Sequence, residues 1–172
     1  MNLQAFRWAP ILPDHWEAIG AIAARIHPDL PERPDVFAER RRLFPEGCLA
    51  LVSAAGAVAG YGIAYPWRLH SVPPLDAFVG QLPEAPDCLY VHDVAILPEA
   101  RGQGGAERFI ARMRVAARAA GIARLACVSV YGTDAMWRRY GFSLDPSPAV
   151  AAKLSSYGAS AKYMTAPVEA SA

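Results

Sequence analysis

Apolar and polar positions alternate along this chain in runs that change period several times. Residues Gln4 to Trp8 read as a short opening strand. Trp16, Ile19, Ile22, Ala23 and Ile26 then recur at helical spacing, with Asp14 as the candidate N-cap and Pro28 and Pro31 closing the helix. A second helix is expected from about Asp35 to Leu43, after Pro34. Cys48 to Ser53 and Val58 to Pro66 flank a turn at Gly56 and predict an antiparallel hairpin. The proline-rich stretch from Arg68 to Asp87 has little periodicity and reads as a long loop, a common home for function.

Cys88 to Leu97 is the longest strand candidate. It runs into a glycine-rich turn, and Phe109, Ile110, Met113, Ala116 and Ala117 mark a helix from about Gly105 to Ala120, ended by Gly121. Arg124 to Tyr131 predicts a strand and Thr133 to Tyr140 a short helix. Ala149–Leu154 and Ala161–Ala166 are expected as two terminal strands. The order β-α-α-β-β-β-α-β-α-β-β indicates an α/β sandwich on a mixed sheet.

Composition narrows the class. A chain of 172 residues, 53% hydrophobic and 19% charged, can bury a full core and is expected to form a single domain over residues 1–172. Its formal net charge of +1 gives no global attraction to nucleic acid. Arginine far outnumbers lysine, a bias that fits genomic composition as readily as anion recognition. Cys48, Cys88 and Cys127 are odd in number, form no CxxC pair and lie in apolar runs, so buried reduced thiols are expected, with no metal site. No apolar stretch is long enough to span a membrane, and no signal-peptide pattern opens the chain, so a cytoplasmic protein is expected.

The informative unit is the strand, glycine turn and helix from Val94 to Phe109. A helix N-terminus offers unpaired N–H groups and partial positive charge, which suits a phosphate or diphosphate, and small residues let backbone approach it. The P-loop and dinucleotide fingerprints both fail here at defining positions, because Gly105-Ala106-Glu107 stands where they need other residues. A tight turn with no ligand is the plain alternative.

Two blocks carry a resemblance. The turn matches Arg/Gln-x-x-Gly-x-Gly/Ala through Arg101, Gly104 and Ala106. The segment Ala135-Met-Trp-Arg-Arg-Tyr-Gly-Phe142 is similar to a second family block, with Trp137 in its aromatic slot. Together they resemble the GNAT superfamily of N-acetyltransferases over roughly Tyr90 to Phe142. The N-terminal half agrees in element order alone.

The resemblance implies a mixed, mostly antiparallel sheet of six to seven strands with helices on both faces, and acetyl-CoA as acyl-donor co-substrate. It implies that backbone groups of Val94, Ala95 and Ile96 hold the pantetheine arm, with a backbone N–H near Ile96 serving the oxyanion. Loop residues Arg101, Gly102, Gln103, Gly104, Gly105, Ala106 and Glu107 would hold the pyrophosphate. Arg108 or Arg112 either meets the 3′-phosphate or belongs to a solvated helix face.

For catalysis, His92 and Asp93 precede that strand segment. Strand alternation puts them on opposite faces, so one of them is expected in the acceptor cleft. His92 is the favoured base, its ordinary pKa near 6.5 suiting neutral pH. Many family members carry a tyrosine acid at the slot held here by Trp137, whose indole donates no proton to a thiolate. Trp137 is therefore expected to wall the thioester, with Tyr131 and Tyr140 as substitutes for the acid.

Trp16, Tyr65, Trp67, His70 and Phe78 are open to lining an acceptor pocket or to filling core. Arg40-Arg41-Arg42 is expected as a solvated face. The acceptor is a small-molecule or peptide amine, with no nucleic-acid or membrane partner expected. A homodimer through terminal strands is compatible with the fold, and a non-catalytic acyl-CoA-binding module is the alternative reading.

Overall fold

The computed structural model describes residues 6–169. Its strands are β1 (Arg7–Pro10), β2 (Cys48–Val52), β3 (Val58–Trp67), β4 (Cys88–Ile96), β5 (Arg124–Ser129), β6 (Ser143–Leu144) and β7 (Lys162–Pro167). They form one seven-stranded sheet in the order β1-β2-β3-β4-β5-β7-β6. Strands β4 and β5 run parallel and the other neighbours antiparallel, so the sheet is mixed and mostly antiparallel. The helices are α1 (Trp16–Ile26), α2 (Pro34–Leu43), α3 (Gly105–Ala119), α4 (Asp134–Arg139) and α5 (Pro148–Leu154).

Each face of the sheet has its own core. On one, α3 lays Phe109, Ile110 and Met113 against Leu51, Leu89, Val91, Leu125 and Cys127. Each such side chain contributes about 1.5–3 kcal/mol by leaving water. The helix comes close because β3 carries Gly62 beneath it, where a Cβ would lie 2.3 Å from the Phe109 ring. On the other face, Ile19, Ile22 and Phe37 of α1 and α2 cover Tyr61, Ile63, Tyr65 and Tyr90. The three cysteines are free and buried, and burial pushes the Cys48 and Cys88 thiols up to about 12.

The elements differ from the sequence reading in a few places. Of the expected first strand, Gln4 lies outside the described residues, and β1 begins at Arg7. Asp14 caps nothing: it is exposed within a 3-10 turn, and Leu12 N–H instead donates to His15 Nδ1 at 3.1 Å. Segment Ala149–Leu154 is helix α5, not a strand. Pro148 starts it with a preset φ, and Val150 and Leu154, four apart, both pack on the sheet. Strand β6 has two residues, too few for any alternation to mark, and pairs with β7 through Ser143↔Thr165 and Leu144↔Met164.

Arg40 also departs from expectation. It is fully buried, paired with Glu39, with its guanidinium carbon 5.1 Å from the Tyr65 ring centre. Its Nη2 donates to the Ala77 carbonyl at 2.7 Å, while Glu39 accepts the Val79 and Gly80 N–H groups at 2.9 Å each. Part of the long loop is thus latched onto α2.

Strand β4 is irregular on both of its edges. Its ladder with β5 pairs Leu89, Tyr90 and Val91 with Leu125, Ala126 and Cys127 and then stops, although both strands continue. On the other side, Asp93 pairs with Ile63 but Val91 with Ala64, so His92 is an extra residue in a β-bulge.

Candidate active site

Beyond Val91 the sheet parts between β4 and β5, and a cleft of about 760 Å³ occupies the opening. That size suits a cofactor-length ligand. Leu97 N–H donates to the Ala59 carbonyl at 2.9 Å, so strand alternation turns the backbone groups of Val94 and Ile96 toward the opening and those of Ala95 toward β3. Of the three residues expected to hold the pantetheine arm, Ala95 is therefore excluded: its backbone faces Tyr61 and its side chain is 1% exposed in the other core. The Ile96 carbonyl accepts a 2.9 Å bond from Arg101 Nε.

The glycine turn closes one end of the cleft. Gly104, the residue before α3, has a φ of 69°, left-handed backbone that glycine enters without a Cβ penalty. The Arg108 N–H bonds the Gly104 carbonyl, so the N–H groups of Gly105, Ala106 and Glu107 have no helical partners. All three residues line the cleft, with Arg101, Gly102 and Gly104. Gln103 does not; its carbonyl accepts from Arg108, whose other arm reaches the Phe6 carbonyl at 3.2 Å. Arg108 thus braces the turn, while Arg112 is exposed. These free amides and the strand opening fit a diphosphate carrier with an extended, amide-bearing arm.

At the far end, the bulge breaks the alternation expected of His92 and Asp93, and both side chains lie on the α1/α2 face. Asp93 Oδ1 is 2.7 Å from His27 Nε2, and Oδ2 accepts the Tyr61 hydroxyl at 2.5 Å. His92 Nε2 is 2.7 Å from Glu32 Oε1 and its Nδ1 is 3.3 Å from the Tyr65 hydroxyl; the imidazole is 1% exposed. His92 therefore has both nitrogens engaged. His27, by contrast, lines the cleft with its buried Nδ1 unpartnered, its ring stacked 5.8 Å from that of Tyr131. Neither His27 nor Glu32 stands out in the sequence. His27 merely follows the last turn of α1 before Pro28, and only tertiary packing brings it 66 residues across to Asp93.

Tyr131 lines the mouth, 45% exposed, with φ at 53°. Trp137 is buried, meets Phe142 at 5.2 Å and lines the cleft, with Tyr140 beside it. None of Trp16, Tyr65, Trp67, His70 and Phe78 lines it. Tyr65 is core, and His70 Nε2 bonds Asp145 at 2.8 Å on another surface.

The His27–Asp93 pair sets its own charge state. Burial alone lowers the His27 pKa, but the Asp93 hydrogen bond and the charges of Asp93 and Glu32 outweigh it, and the net is above 6.5. Burial raises Asp93, yet the His27 bond and charge, the Tyr61 hydroxyl and His92 bring it below 3.8. His27 stabilises the fold fully below pH 6.5 and loses this as pH rises through its raised value. Asp93 does so above pH 3.8 and loses it as pH falls through its lowered value. The difference in melting temperature between the wild type and His27→Gln is thus expected to be largest between those pH values and to shrink on both sides. A pH-independent difference in calorimetric scans would show that the pair is not ionised.

Among the described residues, no helix is long and apolar enough to cross a membrane, and no cluster of three or more His, Cys, Asp or Glu is arranged to hold a metal ion. Comparison with curated protein sequences gives no match. Solved structures share the fold at low identity. Ard1 from Thermoplasma volcanium is 14% identical, covering 96% of this chain and 99% of its own, with a TM-score of 0.70. N-acetylglutamate synthase from Neisseria gonorrhoeae, solved with coenzyme A and N-acetyl-glutamate, is 17% identical over 96% of this chain and 36% of its own, at 0.70. YhbS from Escherichia coli, a GNAT family N-acetyltransferase solved with CoA, is 16% identical over 98% and 84%, at 0.62. Residues 10–142 match the model of the acetyltransferase (GNAT) family. With most of its length inside that match, the chain belongs to the GNAT family and is an acyltransferase whose co-substrate is acetyl-CoA.

Proposed function

We propose that the protein, acting as one catalytic domain, transfers an acetyl group from acetyl-CoA to a primary amine that attacks the thioester directly. The observation that carries this reading is the Asp93–His27 pair at the end of the β4–β5 opening, where His27 lines the cleft and its buried Nδ1 has no partner. When bound, acetyl-CoA supplies an acetyl group activated by a sulfur leaving group. Val94 and Ile96 present backbone groups to its arm. The Val94 N–H, next to Asp93 and facing the opening, serves as the donor at the carbonyl oxygen. The amides of Gly105, Ala106 and Glu107 receive the diphosphate.

His27 takes the amine's proton. With Nε2–H donated to Asp93, its Nδ1 is a bare acceptor, and Asp93 both selects that tautomer and stabilises the imidazolium. His92 and Asp93 were the residues expected to carry the chemistry. Here Asp93 orients His27, and His92 holds Glu32 in place. Trp137 excludes water, and Tyr131 covers His27. No acid is needed at the sulfur, since a thiol of pKa about 8.5 is a fair leaving group.

Calorimetric titration with acetyl-CoA, followed by free-thiol release across an amine panel, tests the reading. Absence of binding at high micromolar acetyl-CoA would end it. Gly104→Val puts a branched side chain at a φ of 69°, with its Cβ 3.3 Å from Arg108 Nη1. It is expected to cost roughly 1–2 kcal/mol of stability and to weaken acetyl-CoA binding by at least about tenfold, a loss of roughly 1.4 kcal/mol. Unchanged affinity would move the diphosphate away from this turn.

A further inference from the structure

This inference rests on the acetyl-transfer reading and narrows its acceptor. Beside the cleft lies a small cavity of about 40 Å³ that shares His27, His92, Asp93, Val128 and Val130 with it. The cavity's charged groups are the carboxylates of Asp93 and Glu32 and the two imidazoles. Among the described residues no arginine or lysine lines it. The cations nearest in sequence and space are engaged elsewhere: Arg33 holds Asp76 with Nε at 3.0 Å, and Arg40 is buried against Glu39 and the Ala77 carbonyl.

Glu32 is built into this wall. Its side chain is 6% exposed, with Oε1 on His92 Nε2 at 2.7 Å and Oε2 accepting the Asp76 N–H at 3.0 Å. Each oxygen keeps a further lone pair for a donor. Tyr157 adds a ring but no free hydroxyl, which donates to the Pro73 carbonyl at 2.7 Å. Leu30 and Leu75 complete an apolar surround.

We propose that the acceptor is a monoamine with no carboxylate on the carbon that bears its nitrogen, seated as an ammonium beside Asp93 and Glu32, and that a carboxylate on that carbon excludes a molecule from the site. The cavity opens into the cleft through the residues the two share, so it takes the charged nitrogen while the rest of the molecule lies in the cleft. A carboxylate placed there would lose its water, meet no arginine or lysine and face two like charges. The balance is simple: a C–N bond forms, the C–S bond breaks, one ammonium proton leaves through His27 and a second ends on the departing sulfur.

The test uses pairs that differ by the carboxylate alone: phenethylamine with phenylalanine, and isobutylamine with valine, within a wider panel of alkyl- and arylalkylamines. Acetylated product is read by mass spectrometry, so thioester hydrolysis does not count. The decarboxylated member of each pair is expected to have a kcat/KM at least about 100-fold higher. Glu32→Gln keeps the Asp76 contact and is expected to raise KM for the amine at least about tenfold while leaving acetyl-CoA affinity within about twofold. Amino acids acetylated as well as their amines, or an unchanged KM in Glu32→Gln, would overturn the proposal. If acetyl-CoA binds calorimetrically but no amine of the panel is acetylated, the acetyl-transfer reading itself fails and this inference falls with it.

Discussion

Asp93→Asn is expected to lower kcat for acetyl transfer by about 10²–10⁴-fold, the range general-base catalysis supplies. The carboxylate accepts from His27 Nε2 at 2.7 Å and from the Tyr61 hydroxyl at 2.5 Å. An asparagine keeps the shape but loses the charge that holds His27 above its ordinary 6.5. If its amide NH2 turns toward Nε2, the imidazole proton shifts to Nδ1 and no lone pair is left for the amine.

The pH profile separates this from simple misfolding. Wild-type activity is expected to rise as His27 deprotonates, with a midpoint above 6.5. In Asp93→Asn the residual rate should rise at lower pH, because burial then acts on His27 against the Glu32 charge alone. Calorimetric acetyl-CoA affinity should be unchanged, since the residues proposed to hold the diphosphate and pantetheine lie elsewhere. A variant with wild-type kcat, or one whose midpoint does not move, would remove Asp93 and His27 from the proton path.

Arg40→Ala is expected to destabilise the fold by about 3–5 kcal/mol, the cost of stripping one partner from a buried ion pair. For a chain of this size that corresponds to a fall in melting temperature of about 6–20 °C. The guanidinium is wholly buried over Tyr65, and its loss leaves the Glu39 carboxylate, 8% exposed, without a cation. The Ala77 carbonyl loses its donor at the same time. Arg42→Ala is the control: its side chain is exposed, and its effect should stay within about 0.5 kcal/mol. Equal melting temperatures for the two variants would show that the latch between α2 and the loop contributes nothing. Because Arg40 lies behind Tyr65, which meets His92, its loss should also loosen the wall that carries Glu32.

Local chemistry was legible without tertiary structure wherever neighbours in sequence remain neighbours in space. The turn Arg101–Ala106 and the helix after it announce an anion site through glycines and free amides, and the block ending at Gly141-Phe142 places Trp137 in the cleft wall. The apolar runs of β2 to β5 and the period of α3 were readable for the same reason. The charge run Arg40–Arg42 was not, because burial depends on what the loop at Ala77–Gly80 brings to it. Helix α5, expected as a strand, shows the same limit for a short run of alanines.

The proposed catalytic constellation is decided almost entirely by the fold. One extra residue at His92 turns two adjacent side chains to the same face, and no pattern in the residues marks that bulge. His27 and Glu32 come from the end of α1 and the segment after it, and reach β4 across 66 and 60 residues. By itself the sequence determined the family, the co-substrate and the glycine turn that opens α3, since these rest on contiguous residues and their periodicity. Which imidazole has a free nitrogen, and which carboxylates line the small cavity, were decided by tertiary packing, because hydrogen bonding and desolvation act between groups that only the folded chain brings within about 3 Å.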